Sequence, residues 1–82
     1  MKFSEPCLIF ILEDNAIDWA VLAEPGEEWT VNTIAEYCDK PINNTIYAYP
    51  LIGDAKVSDT LDTLDNALAT YMPQRIPGVF TL

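Results

Sequence analysis

The chain of 82 residues has no histidine, and its cations number only four, Lys2, Lys40, Lys56 and Arg75, against 13 acidic residues. Without a histidine, a cysteine nucleophile loses its usual base at neutral pH, so Cys7 and Cys38 are expected to pack as small hydrophobes. Two cysteines cannot fill a four-coordinate zinc site. The three glycines, Gly26, Gly53 and Gly78, fall in separate turns and form no phosphate-cradling loop. Direct binding to nucleic acid or to an anionic membrane is disfavoured, because the dominant attraction in both comes from Lys and Arg near phosphate.

Long apolar runs are missing too. The amino-terminal stretch MKFSEPCLIFILED holds an apolar run of six residues, Cys7 to Leu12, flanked by Glu5 and Glu13. That is too short and too acidic for a signal peptide, and far short of a membrane span. The expected location is the cytoplasm of the producing or host cell, where both thiols stay reduced. The triplet NNT at 43–45 matches a glycosylation acceptor without a secretory context, and carries no weight. GDAKVSDTLD lacks the alternating ligand spacing of a calcium loop. General acid and base work by paired carboxylates needs a cleft that raises one pKa, and a chain of this size has little volume for one. The expectation is a protein that is not an enzyme and uses no cofactor or metal.

What remains is a foldable chain. Half of it is apolar and 11% aromatic, so the composition of intrinsic disorder is absent despite a formal charge of −9. No repeat or linker divides it, which predicts a single compact acidic domain over 1–82 burying roughly 60 to 65% of its unfolded surface.

CLIFIL (7–12), apolar at every position, suits a central strand covered on both faces. After the turn-prone EDNA, IDWAVLA (17–23) sets Ile17, Trp19 and Val21 against Asp18, Ala20 and Leu22, so the pair reads as a hairpin. Thr30 is a helix N-cap, with Trp29 positioned to staple onto Ile34. Val31, Ile34, Ala35 and Cys38 then form the inner face of a first helix, with Asn32, Thr33, Glu36 and Asp39 outside, ending near DKP. NTIYAYPLI (44–52) reads as a strand in which Pro50 cannot donate a ladder bond, predicting an edge position or a bulge. Tyr47 and Tyr49 would stand side by side on one face, exposed along that edge. Ser58 or Asp59 caps a second helix running to Met72 and stopped by Pro73, and GVFTL closes the chain as a strand. The predicted fold is α+β, a small single sheet of about four strands in the order ββαβαβ, with two helices packed on it, both on one face.

The second helix carries the most pointed feature. Leu61, Leu64, Leu68 and Tyr71 mark its buried stripe, while Asp59, Asp62 and Asp65 recur every three residues. At about 100° per residue the ladder turns back about 60° at each step, from the side opposite the core toward its margin. Carboxylates in a first helical turn are favoured by the macrodipole by about 0.3 to 1 kcal/mol each. Asp65 lies beyond that benefit, and no Lys or Arg occurs between Lys56 and Arg75 to pair with any of the three.

A rigid, nearly all-negative surface resembles a phosphate-bearing polymer to a protein with cationic clefts. This points to a small acidic inhibitor that binds the basic nucleic-acid site of a partner protein, a nucleic-acid mimic. The expected contacts are Asp59, Asp62, Asp65, Asp54 and the hairpin-turn pair Glu13 and Asp14. The character is reminiscent, in composition, of the small proteins that phages and mobile elements use against restriction, CRISPR or repair machinery. A different reading is a structural or accessory module, including a homodimer, that docks through the Tyr47/Tyr49 strand and the apolar VFTL. An antitoxin or immunity protein for a basic toxin shares the electrostatics of the first reading.

Overall fold

The computed structural model describes residues 1–38 and 45–82. The element order is β1 (Cys7–Glu13), β2 (Ala16–Ala23), α1 (Val31–Cys38), β3 (Ile46–Pro50), α2 (Val57–Leu68), a 3₁₀ turn (Pro73–Arg75) and β4 (Phe80–Thr81). The four strands form one antiparallel sheet in the order β2-β1-β3-β4. The fold is therefore α+β with the predicted order of elements. Asp39, the expected end of the first helix at 39–41 and the NNT triplet's Asn43 and Asn44 lie outside the described residues.

β1 and β2 are joined by a two-residue turn, Asp14 and Asn15, both left-handed with φ of 52° and 62°. This is the hairpin geometry whose twist matches that of the flanking strands, and Asn and Asp tolerate it. The hairpin carries a register shift: Ile11 faces Trp19 while Leu12 faces Ile17, leaving Asp18 as the extra residue of a β-bulge. The bulge corrects the expected alternation. Ile17 joins the side of Leu8 and Phe10, whereas Trp19 and Val21 pack on the side of Cys7 and Ile9.

β1 is buried on both faces, and its alternate residues enter two separate cores. Cys7, Ile9 and Ile11 pack with Trp29 and Ile34 of the α1 region, and with Ile46 and Ala48 of β3. Leu8 and Phe10 pack with Leu64 and Leu68 of α2, with Tyr47 and with Ile76. The two helices thus lie on opposite faces of the sheet, not on one as expected. A strand apolar at every position leaves no other solution, since a single layer of helix would expose half of it at a cost of about 1.5 to 3 kcal/mol per large side chain.

α1 begins as predicted. The Thr33 amide donates to the Thr30 hydroxyl at 3.1 Å, and Trp29 and Ile34 are both buried in the same core, the N′-to-N4 contact of a hydrophobic staple. Tyr37 leans on Trp29 with ring centroids 5.2 Å apart. Val31 departs from expectation and is exposed. It occupies the first helical position, where side chains lean back past the helix end, and Trp29 already fills the space beneath.

β3 lies inside the sheet, not at its edge. Strand β4 covers only Tyr47 and Ala48, so the expected edge character survives at Pro50 alone. Leu51 donates to the Pro6 carbonyl on the β1 side, while Ile46 accepts from Leu82 on the β4 side. By strand alternation the Pro50 nitrogen points to the β4 side, past the end of that strand, where no ladder donor is required.

α2 spans Val57–Leu68, beginning two or three residues before the predicted start and ending four before Met72. Its N-cap is Lys56, with no side-chain cap bond, rather than Ser58 or Asp59. Val57, half-buried on the Phe10 core, draws the first turn inward. The helix ends at Leu68 because the Asn15 side-chain amide donates to the Leu68 carbonyl at 2.6 Å. An uninterrupted helix would give that carbonyl to the Met72 amide. The last amide of the i→i−4 ladder is that of Tyr71, which donates to the Ala67 carbonyl at 2.8 Å; both Tyr71 and Met72 stand exposed, so Tyr71 is not part of the buried stripe. Thr60 takes part in its place: it is buried, with its hydroxyl donating to the Lys56 carbonyl at 2.8 Å.

Candidate functional site

Leu64 and Leu68, 1% and 2% exposed, fix the rotation of α2 on the sheet. That rotation sends Asp59, Asp62 and Asp65 to solvent, and all three are exposed. Rising about 1.5 Å per residue, the row advances about 4.5 Å at each step and about 9 Å in all. The spacing is close to the 3.4 Å per phosphate of one DNA strand and wider than the 1.7 Å average of a duplex. A single strand's backbone is the better likeness.

Asp54 joins this row at its start. The loop Ile52–Lys56 folds beside α2, and an open depression of about 350 Å³ is lined by Tyr49, Ile52, Asp54, Lys56, Asp59 and Thr63, among others. Glu13 and Asp14 come in at the other end. The Asn15–Leu68 hydrogen bond ties the hairpin turn to the C-terminus of α2, about 18 Å from its N-terminus by helical rise over 12 residues. Acid from two regions 40 or more positions apart in sequence is thereby strung along one helix.

Asp54, Asp59, Asp62, Asp65, Glu13 and Asp14 are all exposed, and none forms an ion pair with a described residue. An ion pair between described residues lies elsewhere. The Met1 amine sits 2.9 Å from a Glu28 oxygen and donates also to the Trp29 carbonyl at 2.6 Å. The bond that the amine donates to Glu28 holds that carboxyl below its ordinary range. Among the described residues no group of three or more His, Cys, Asp or Glu side chains converges as a metal site. No described helix is long and apolar enough to cross a membrane.

The tyrosine pair divides. Tyr47 and Tyr49 do share one face, but Tyr47 is 8% exposed and stacks on Phe10 with centroids 5.6 Å apart and planes at 23°. It is a core residue, and the expectation that it presents an exposed interface is corrected. The cause is α2, which covers the face on which both tyrosines stand. Tyr49, half-buried, reaches the depression beside Asp54 and Asp59.

Sequence reasoning missed Thr63 and Ile52 as lining residues, and Asn15 as the residue that positions the row's far end. Asn15 signalled a turn; that its amide would reach a carbonyl 53 residues away left no local trace. Cys7 is buried, and burial, with the Glu5 charge second, pushes its thiol up; Cys38 is half-buried against the same core. A scan of protein-family models and searches of curated proteins and of solved structures find nothing that matches this chain.

Proposed function

We propose that this chain is an acidic, non-enzymatic inhibitor whose α2 carboxylates occupy the basic nucleic-acid-binding groove of a partner protein. The partner of this chemistry is a nucleic-acid-handling complex, and the cytoplasm of the producing or host cell is where the two would meet. Anti-restriction or anti-CRISPR activity is the biological form this takes. The observation that supports the reading is a row of exposed carboxylates, Asp54, Asp59, Asp62 and Asp65, continued by Glu13 and Asp14, with no described cation paired to any of them. Natural surfaces intersperse the two signs; here Lys56 lies beside the row, lining the depression with Asp54 and Asp59 without pairing to either, and so negative a field serves attraction at a distance.

Association should be fast at low ionic strength and weaken steeply with salt, because the screening length falls from about 30 Å at 0.01 M to about 10 Å at 0.1 M. The test is capture from host lysate at low salt on the immobilised chain, followed by elution with duplex DNA or single-stranded DNA. Release of nucleic-acid-handling proteins by either competitor is the expected result. The double variant Asp62→Lys, Asp65→Lys should abolish capture while changing stability by no more than about 0.5 kcal/mol. Capture that survives this reversal, or that neither DNA displaces, overturns the proposal.

A further inference from the structure

The sheet has two edges, and they are treated differently. On one side β4 is only two residues long, too short to template another strand. On the other, β2 runs for eight residues and ends the sheet. Its first half is interrupted by the bulge at Asp18, a common means of blunting an edge. Its second half, Trp19–Ala23, is regular, carries no charge and has no proline.

The direction of the backbone groups there follows from the ladder. Pro6 accepts from Leu51, so the polar groups of Pro6, Leu8 and Phe10 face β3, and those of Cys7, Ile9 and Ile11 face β2. Their partners Ala23, Val21 and Trp19 are therefore the residues that bond inward. Ala20 and Leu22 point the other way, offering two N–H and two C=O groups outward. The row stops at Glu24, whose amide is already taken by the Glu27 carboxylate at 2.7 Å.

We propose that Trp19–Ala23 is a strand-addition site, and that its occupant is an extended basic segment of a partner protein. The side chains favour such a guest: Trp19 and Val21 on one face, and Ala20 and Leu22 on the other, are each only half-buried, leaving apolar surface for the flanks of an added strand. Charge decides who the guest is. A second copy would bring another −9 against this edge, and pairing like with like is opposed by that repulsion. Exposed Glu24 and Glu27 stand at one end of the open row and Glu13 and Asp14 at the other, so a segment with an apolar centre and Lys or Arg at its ends is complementary along its whole length. This site shares Glu13 and Asp14 with the far end of the carboxylate row, but its open backbone row at Ala20 and Leu22 lies outside that row, and its fate does not depend on the inhibitor reading.

The probe is the peptide Lys-Lys-Val-Thr-Val-Thr-Val-Lys-Lys, titrated into the full chain while amide hydrogen exchange is followed residue by residue. Saturation is expected to slow exchange at Ala20 and Leu22 by at least about tenfold, with little change at Val21, whose amide already bonds β1. Leu22→Pro removes an outward donor without touching the ladder to β1, and should weaken binding by about tenfold. If that variant fails to fold, the exchange pattern of the unmodified chain decides alone. Protection confined to α2, equal changes along all of β2, or no binding at all overturns the proposal. Sedimentation of the free chain should show a monomer at low salt; a dimer with protected Ala20 and Leu22 would assign the edge to a second copy and overturn it as well.

Discussion

The side-chain amide of Asn15 donates to the carbonyl of Leu68, so a hairpin turn closes the end of a helix that begins 42 positions later in the chain. The bond stops α2, frees Tyr71 and Met72 to solvent, and brings Glu13 and Asp14 to the end of the aspartate row. No basic residue stands in the last turn of α2, so this neutral amide supplies what Lys or Arg supplies at other helix ends.

Asn15→Gly should remove the donor while keeping the left-handed backbone, and Asn15→Ala should remove the donor and add strain at φ 62°. Losses of about 0.5 to 1.5 kcal/mol for Gly and about 1 to 3 kcal/mol for Ala are expected in urea denaturation. For a chain of this size, with a total stability of roughly 4 to 12 kcal/mol, the second loss is substantial. Indistinguishable stabilities for wild type and both variants would show that the bond does not hold the helix end.

Tyr47→Ser should cost about 3 kcal/mol or more, because it empties the space against Phe10 in the centre of a core. Tyr49→Ser, at a half-buried position, should cost less than half as much. Thermal unfolding of the two variants side by side checks the assignment of Tyr47 to the interior. Equal, small effects would return both rings to the surface.

Gly78 has φ of 88°, and a Cβ added there would lie 3.2 Å from a ring carbon of Tyr49. Gly26 has a similar φ of 85° with nothing within 4 Å. Gly26→Ala should therefore cost the backbone term alone, about 1 to 2 kcal/mol. Gly78→Ala should cost more, the excess reporting the contact with Tyr49. Melting temperatures of the two variants provide the comparison.

Stability should decline at both ends of the pH scale, for different reasons. The Glu28 carboxyl is held low by the Met1 amine, so its contribution is present above the ordinary carboxylate range and is lost as pH falls through the depressed value. Glu28→Gln should flatten the acid limb of a plot of urea midpoint against pH. Cys7 is shifted the other way: its contribution is present below the ordinary thiol range and is lost as pH rises toward the raised value. At pH 8 iodoacetamide should accordingly alkylate Cys7 more slowly in the folded chain than in urea, as mass spectrometry of the timed reaction would read.

Much of the fold was legible because the signals were local. CLIFIL announced a strand covered on both sides, and Thr30 with Trp29 announced the start of a helix through bonds spanning three or four residues. The misplacements share one character. Ile17 changed faces because of a bulge, α2 stopped early because of a donor from the hairpin, β3 moved inward because two residues of β4 paired with it, and Tyr47 was buried because α2 lay over it. Each depends on a partner distant in sequence.

The candidate site divides along the same line. That Asp59, Asp62 and Asp65 recur on one helix, without cations to pair them, is a property of residue order and helical period, and needs no other part of the chain. Which way that row faces was settled by Leu64 and Leu68 burying themselves on β1. That Asp54 and Tyr49 flank one end of it, and Glu13 and Asp14 the other, came from packing and from a single amide. Periodicity acts over a few residues, whereas burial and hydrogen bonding between remote segments are decided only when the whole chain has closed on its two cores.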